Sequence, residues 1–540
     1  MKQILLFTFI ILINPFYGYT QSVNLVKDLN PGASDGIDQW DNQAIEFNGM
    51  LLLPGTNGST GLELYSLQAG VLTIVKDINS GSGDSGPANF MLYNNKVYFT
   101  AYDATHGEEI WSTDGTSAGT MLAVEAIPGS NPSSGSGPGI LIAGNNGKLY
   151  FSVAGDAYIS DGTTLGTSKV AGLDYVDFNE DFSNASPRVT KYGNGIAFFS
   201  KPSSAEFNIY SLDASATPVL LKTVPVNQYG TTYIYGISEV SAGVLFALYN
   251  SAYTTYNGLF VINKSDGSIS EIKDTPNTSI DVNRVLHFTS SKAIFKKTSG
   301  GIYSTDGTQA GTVKITPGTY ILTQGEHIPN AVVNGQIVFY GDDGSFETKI
   351  YISDGTIAGT SLLATAQDHL SNFIISGNNV LWASGIDNGF NPDITIADVS
   401  KKTSSTAFSF TESSTASDAI VMMGVQDSKI YFSYTLKGDG REVYDLSNSA
   451  ITTGILSSAG NTTSGYYKLC TLNSTNGEYA IASESSAETL LIAQYDLTGN
   501  LLHTANIKAG ESFVLNTSAP MSVINVTGNN GSVSYKILRH

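Results

Sequence analysis

Ten residues, WSTDGTSAGT at Trp111–Thr120, recur almost unchanged as YISDGTTLGT at 158–167, YSTDGTQAGT at 303–312 and YISDGTIAGT at 351–360. Their aspartates, Asp114, Asp161, Asp306 and Asp354, are separated by 47, 145 and 48 residues. Since 145 is close to three times 48, two worn copies are expected between the second and third. NIYSLDASATPVLLK from Asn208 and GLFVINKSDGSISEIKD from Gly258 fall at the expected places. ELYSLQAGVLTIVKDI from Glu63 and EVYDLSNSAITTGIL from Glu442 extend the series in both directions.

A second element keeps the same beat, a turn followed by what reads as an alternating apolar strand. It occurs as NGMLLLPG, NNKVYFTA, NGKLYFSV, NGIAFFS, AGVLFALY, SKAIFKK, NGQIVFYG, NNVLWASG and DSKIYFSY, nine units of about 43 to 52 residues. A period of 40–50 residues built from strands and turns marks a β-propeller, with one unit per blade. The expected fold class is therefore all-β: a propeller of about eight or nine four-stranded blades, followed by a small β-sandwich.

The decamer itself reads as a hairpin. The Asp side chain can accept hydrogen bonds from the backbone N–H groups just after it, and the following Gly takes the left-handed conformation. The second Gly, five residues after the Asp, suits a bulge or tight re-entry into the next strand. A catalytic site is needed once, whereas a hairpin is needed in every blade. One more detail bears on closure. NLVKDLNPG from Asn24 has the form of a unit's tail, yet no head precedes it. An N-terminal strand that completes the last blade would remove an exposed sheet edge, with Glu442–Leu446 as its partner.

These residues also carry a resemblance. EEIWSTDGTSAGT resembles the repeat named for Glu-Leu-Trp-x-x-Asp-Gly-Thr, found in large exported bacterial proteins. TIVKDINSGSGDSG from Thr73 and NLVKDLNPGASDG from Asn24 are similar to its continuation. The resemblance spans roughly 23–460 and implies a repetitive surface architecture, with no activity attached.

Composition narrows the function. Charged residues are 14% of the chain, against about 25% for an ordinary globular protein. With 27 basic and 47 acidic side chains the formal charge is -20, and no Lys/Arg cluster supplies the basic stripe that nucleic acid demands. One cysteine, Cys470, excludes an internal disulfide framework and reads as a small core residue.

Motifs that suggest chemistry are weak. GDSGP at Gly83–Pro87 has the look of a serine-protease nucleophile loop but lacks the second Gly before Pro and any matching His context. GSGPG at 135–139 occupies the same repeat loop, with no helix after it to form a phosphate cradle. His106, His287, His327, His369, His503 and His540 are scattered without zinc-ligand spacing, and His106 reads as a surface residue. GDDGS at 341–345 and GDG at 438–440 offer oxygen ligands for Ca²⁺ but lack the spaced series of a calcium loop. No catalytic, cofactor-binding or metal-binding residue is assigned.

The two ends read as export signals. Lys2, the apolar run ILLFTFIILI and NPFYGYTQS have the layout of a signal peptide over 1–20, cleaved near Thr20/Gln21 and too short to favour a membrane span. The repeat region is expected over 21–459 and a sandwich over 460–540. That last segment resembles the type A C-terminal sorting domain of the type IX secretion system of Bacteroidetes. The resemblance rests on STNGEYAI, on QYDLTGNLL with Tyr495, Asp496 and Gly499, and on GNNGSVSYKILRH with Lys536. The family's early Asn-Pro is absent, and APMSVINV replaces its usual Gly-x-Tyr strand. The resemblance implies type IX machinery as a partner, passage through the periplasm and across the outer membrane, and a secreted or cell-surface destination.

The expected function is a binding or adhesion module for glycan or protein, leaning away from an enzyme. The alternative is a secreted polysaccharide hydrolase with two carboxylates converging at the propeller mouth, 5–10 Å apart. A ligand-free spacer is a third reading.

Overall fold

The computed structural model describes residues 23–447, apart from loops of which the longest are 127–136, 179–187, 317–329 and 411–419, and then the strands between 467 and 538. The described residues form nine consecutive antiparallel sheets, the blades of one propeller. Blade 1 takes Ile45–Phe47, Met50–Gly55, Glu63–Gln68 and Val71–Lys76. Blade 2 takes Ala88–Tyr93, Lys96–Asp103, Gly107–Thr113 and Met121–Val124. Blades 3 to 8 cover 142–169, 189–225, 232–279, 282–314, 330–366 and 374–409. Each has four strands in simple meander order, except blade 5, which adds Thr278–Ser279 as a fifth.

Blade 9 contains Val421–Gln426, Lys429–Thr435 and Arg441–Ser447, and its outermost strand is Val23–Lys27 from the other end of the chain. Val23 pairs with Leu446, Asn24 with Asp445 and Leu25 with Tyr444, the closure expected from the headless NLVKD tail. Asn24 Nδ2 adds a bond to Asp445 Oδ1 at 3.2 Å. Closing the ring in this way covers an edge strand of the last blade.

The core lies between blades. Leu52 and Leu64 of blade 1 pack with Val97, Phe99 and Trp111 of blade 2. Equivalent clusters join each later pair, and Leu53, Tyr65 and Leu67 pack with Met423, Tyr431 and Val443 to join blade 9 to blade 1. All nine turn-plus-strand elements expected from sequence are the second strand of a blade. Their alternation is not observed: Leu149–Val153 is buried at every position, and Lys96–Asp103 at six of eight. A second strand sits inside its sheet and between two other blades, so both its faces are covered. Edge strands such as Val71–Lys76 and Asn330–Val333 keep an exposed face.

Past the propeller the described strands form a three-stranded and a four-stranded antiparallel sheet within 467–538. They include the EYAIAS, TLLIAQY and MSVINVTG parts of the expected segments. The side chain of Cys470, in the strand Tyr467–Asn473, lies outside what is described, as do residues 1–22.

A candidate binding ring at the channel mouth

The four decamers are hairpins between the third and fourth strands of blades 2, 3, 6 and 7. In the first, Asp114 Oδ1 accepts from Thr116 N at 2.9 Å and from Thr116 Oγ1 at 2.7 Å. Thr113 and Thr120 hydroxyls meet at 2.7 Å, and Gly115 N donates to Thr113 Oγ1 at 2.9 Å. The other three hairpins repeat these bonds around Asp161, Asp306 and Asp354. Hydrogen bonds from Thr116, Thr163 and Thr356 hold the carboxyls of Asp114, Asp161 and Asp354 below the usual range.

Gly115 has φ +90, the left-handed conformation expected of it. The second glycine has a different reason from the expected bulge. A Cβ on Gly119, Gly166, Gly311 or Gly359 would overlap the Asp carboxylate of its own turn. The bulge lies instead in the strands, as between Ile110 and Trp111 of blade 2.

Several other suspected sites resolve into structure. Ser85 of GDSGP is buried and donates to Glu63 Oε2 at 2.7 Å and to Leu62 O at 3.1 Å. Glu63 and Glu109, buried at the start of third strands, accept Ile78 N at 2.6 Å and Ala126 N at 2.9 Å from the chain leaving the fourth strand. Glu442 does the same for Leu29 and Asn30. His106 Nδ1 lies 2.7 Å from Asp103 Oδ2, and this hydrogen bond raises the imidazole's pKa. Most of GDG and of GDDGS lies outside the described residues, at 436–439 and 343–347, and so do His327, His369 and His540.

No motif marks the innermost strands, yet at one shared register several of them leave side chains exposed. In blade 1, Ile45 and Phe47 pack toward blade 2, so alternation turns Glu46 to the opposite side, where it is exposed. Glu46 pairs with Leu51 of the second strand. The same register holds Leu92 in blade 2, Ala143 in blade 3 and Lys191 in blade 4. Glu239 and His287 occupy it in blades 5 and 6. Val332, Ile375 and Val425 occupy it in blades 7, 8 and 9.

Innermost strands surround a propeller's central channel, so these positions make a ring near one mouth. Leu92, Val332 and Ile375 are 42%, 38% and 49% exposed, unusual for aliphatic side chains on inner strands. Lys191 is exposed as well, and neither its ammonium nor the Glu46 carboxylate has a partner among the described residues. Partial burial raises the Glu46 carboxyl above its ordinary value.

The turns just beyond this register are tied blade to blade. Tyr93 Oη donates to Gly147 O at 2.7 Å, Asn145 Nδ2 to Gly193 O at 2.9 Å, and Gly193 N to Glu239 Oε1 at 3.2 Å. Ser241 N donates to Ser291 O at 3.0 Å, and Asn334 Nδ2 to Asn378 Oδ1 at 2.7 Å. With its amide turned to satisfy both neighbours, Gln426 of blade 9 accepts from Leu51 N at 2.8 Å and donates to Leu67 O at 3.2 Å. These bonds tie six of the nine blade junctions near this register.

No family model and no curated protein matches the chain. Among solved structures, it is similar to the WD40 domain of SCAP from fission yeast, at 10% identity and TM-score 0.37, over 68% of this chain and 93% of that one. It is similar to an oligogalacturonate lyase in complex with manganese, at 12% identity and TM-score 0.36, over 80% and 94%. It is also similar to the tricorn protease, at 14% identity and TM-score 0.24, over 94% of this chain and 52% of that one. At these scores the likenesses carry no inference about what the chain does.

Proposed function

We propose that the chain is an exported β-propeller that binds a glycan or protein ligand at the ringed mouth without transforming it. The observation that carries this reading is one register of the innermost strands at which Leu92, Val332 and Ile375 are exposed, together with Glu46 and Lys191, whose charged groups have no partner among the described residues. A preformed concave surface with apolar walls and a few placed charges is the usual makeup of a binding site. Hydrolysis of a polysaccharide needs two carboxylates facing one bond. The ring's two, Glu46 and Glu239, stand four blades apart in a circle of nine, and Glu239 is already engaged by Gly193. Export rests on the leader-like residues 1–20 and on the sorting-domain resemblance of 460–540.

The test is to incubate the chain from Gln21 onward with soluble and insoluble polysaccharides and with surface protein extracts, with and without calcium. Bound protein and released reducing ends are assayed together. Retention without product is expected. Released sugar overturns the reading and directs attention to carboxylates at the mouth.

A further inference from the structure

The chain entering blade 1 at 29–37 repeats the hydrogen bonds of the chain entering blade 2 at 78–86. Gly36 N and Ile37 N donate to Arg441 O at 2.9 and 3.0 Å, as Ser85 N and Gly86 N donate to Leu62 O at 3.0 and 3.1 Å. Gly36 O accepts from Thr56 N, and Ser85 O from Tyr102 N, both at 2.8 Å. Gly36 therefore stands where Ser85 stands, and one donor is missing. Ser85 Oγ donates to Glu63 Oε2 at 2.7 Å. Glycine has no hydroxyl to give Glu442, whose carboxylate fills the space that a Cβ on Gly36 would need.

The closure carboxylate also lacks a cation. Glu442 is fully buried, and no Lys, Arg or His among the described residues pairs with it. Lys27 Nζ reaches Leu72 O at 3.5 Å, Lys429 pairs with Asp445 at 2.8 Å, and Arg441 Nη1 donates to Ser433 Oγ at 3.2 Å. Tyr434, paired opposite Glu442, and Tyr65 of blade 1 contribute phenols instead of cations. Of the acids, Asp35 Oδ1 accepts from Arg441 N at 2.7 Å, and Glu63 is engaged by Ile78 and Ser85. Asp28 is different: its Oδ1 is buried with no partner among the described residues, and its charge repels Glu442. Burial raises the carboxyls of both Glu63 and Glu442, but Ser85 draws Glu63 back down while Glu442 is pushed up to about 7.

We infer that residues 23–37 form a proton-operated latch: with Glu442 protonated they seat on blade 9 and close the ring, and with Glu442 ionised they open as a unit while the other blades stay folded. Once Glu442 gives its proton to water, two buried carboxylates stand near each other without a cation, and opening returns both to solvent. Little else holds the segment down. Val23–Lys27 is an outer strand exposed at Asn24, Leu25 and Lys27, so the deep contacts are Leu29, Ile37 and the two Glu442 bonds to Leu29 and Asn30. Opening leaves the outer edge of Arg441–Ser447 free to pair with another strand.

The experiment follows hydrogen exchange of the full chain from about pH 5 to about pH 9, with rates corrected for the intrinsic pH dependence of exchange. Protection of peptides covering 23–29 and 441–447 should fall by about tenfold to a hundredfold over that range, while 97–102 and 149–153 stay constant. Glu442→Gln should flatten the response. Gly36→Ser, which supplies the donor present in blade 1, should reduce it by about threefold or more, and the control peptides report that both variants are folded. A wild-type response that is missing at 23–29, is shared equally by 149–153, or persists undiminished in either folded variant overturns the inference.

Discussion

Glu442 Oε2 accepts the backbone N–H of Leu29 at 3.0 Å, joining residues 413 positions apart where the ring closes. The same contact is made within blade 1 by Glu63 and within blade 2 by Glu109. A buried glutamate at the head of the third strand thus fixes the chain as it leaves the fourth, and at the closure it also fastens the N-terminal strand.

Stability should therefore depend on pH through Glu442. Burial drives its carboxyl up to about 7 from 4.5, with Asp28 adding repulsion, against the lowering effect of the Leu29, Asn30 and Gly36 backbone groups. The folded chain then keeps a proton that the unfolded chain has released. The contribution is complete below about 4.5 and is lost as pH rises through about 7. Between about pH 5 and about pH 8, Glu442→Gln should lose less of its urea midpoint than wild type, by the equivalent of about 1–3 kcal/mol. Parallel profiles would contradict this.

Deleting Val23–Lys27 should open the ring. Arg441–Ser447 would lose its outer partner and expose an edge. The thermal midpoint is expected to fall by on the order of 5 °C or more, with concentration-dependent light scattering. An unchanged midpoint would mean that the ring holds without its first strand.

The hairpin glycines offer a cleaner pair. Gly119→Ala should destabilise by about 1–3 kcal/mol, because its Cβ would occupy the space of the Asp114 carboxylate. In an Asp114→Ala background the same substitution should cost at least about 1 kcal/mol less, a coupling that a double-mutant cycle in urea measures. Additive effects would show that the second glycine serves the backbone alone.

Hairpins also clasp the blade before them. Gln309 Oε1 accepts from Lys273 N at 2.8 Å, and its Nε2 donates to Lys273 O at 2.7 Å. Gln309→Ala should cost about 0.5–1.5 kcal/mol and speed amide exchange at Lys273. Exchange unchanged at Lys273 would argue that solvent replaces the clasp.

The blade rhythm was legible because it resides in second and third strands, whose turns need Gly, Asn and Asp at fixed places. Even the worn copies at Asn208 and Gly258 fall in third strands. The closure was legible as a tail without a head. The buried role of Glu63, Glu109 and Glu442 was not read, although the residue stands beside Tyr or Trp motifs in each case, since burial of a carboxylate depends on a chain segment arriving from elsewhere. The mouth ring left no signal at all. Its residues share a register but no chemistry, and their strands can be as short as Ile142–Ala143.

The central claim is that ligand is held at the mouth. The most direct measurement is hydrogen exchange of the chain with and without a retained ligand, resolved to peptides spanning 46–51, 92–97, 191–196, 332–337 and 375–380. Protection of these turns, with the decamer hairpins at 113–120 and 353–360 unchanged, is the predicted result. Protection confined to those hairpins and the outer strands would contradict the account.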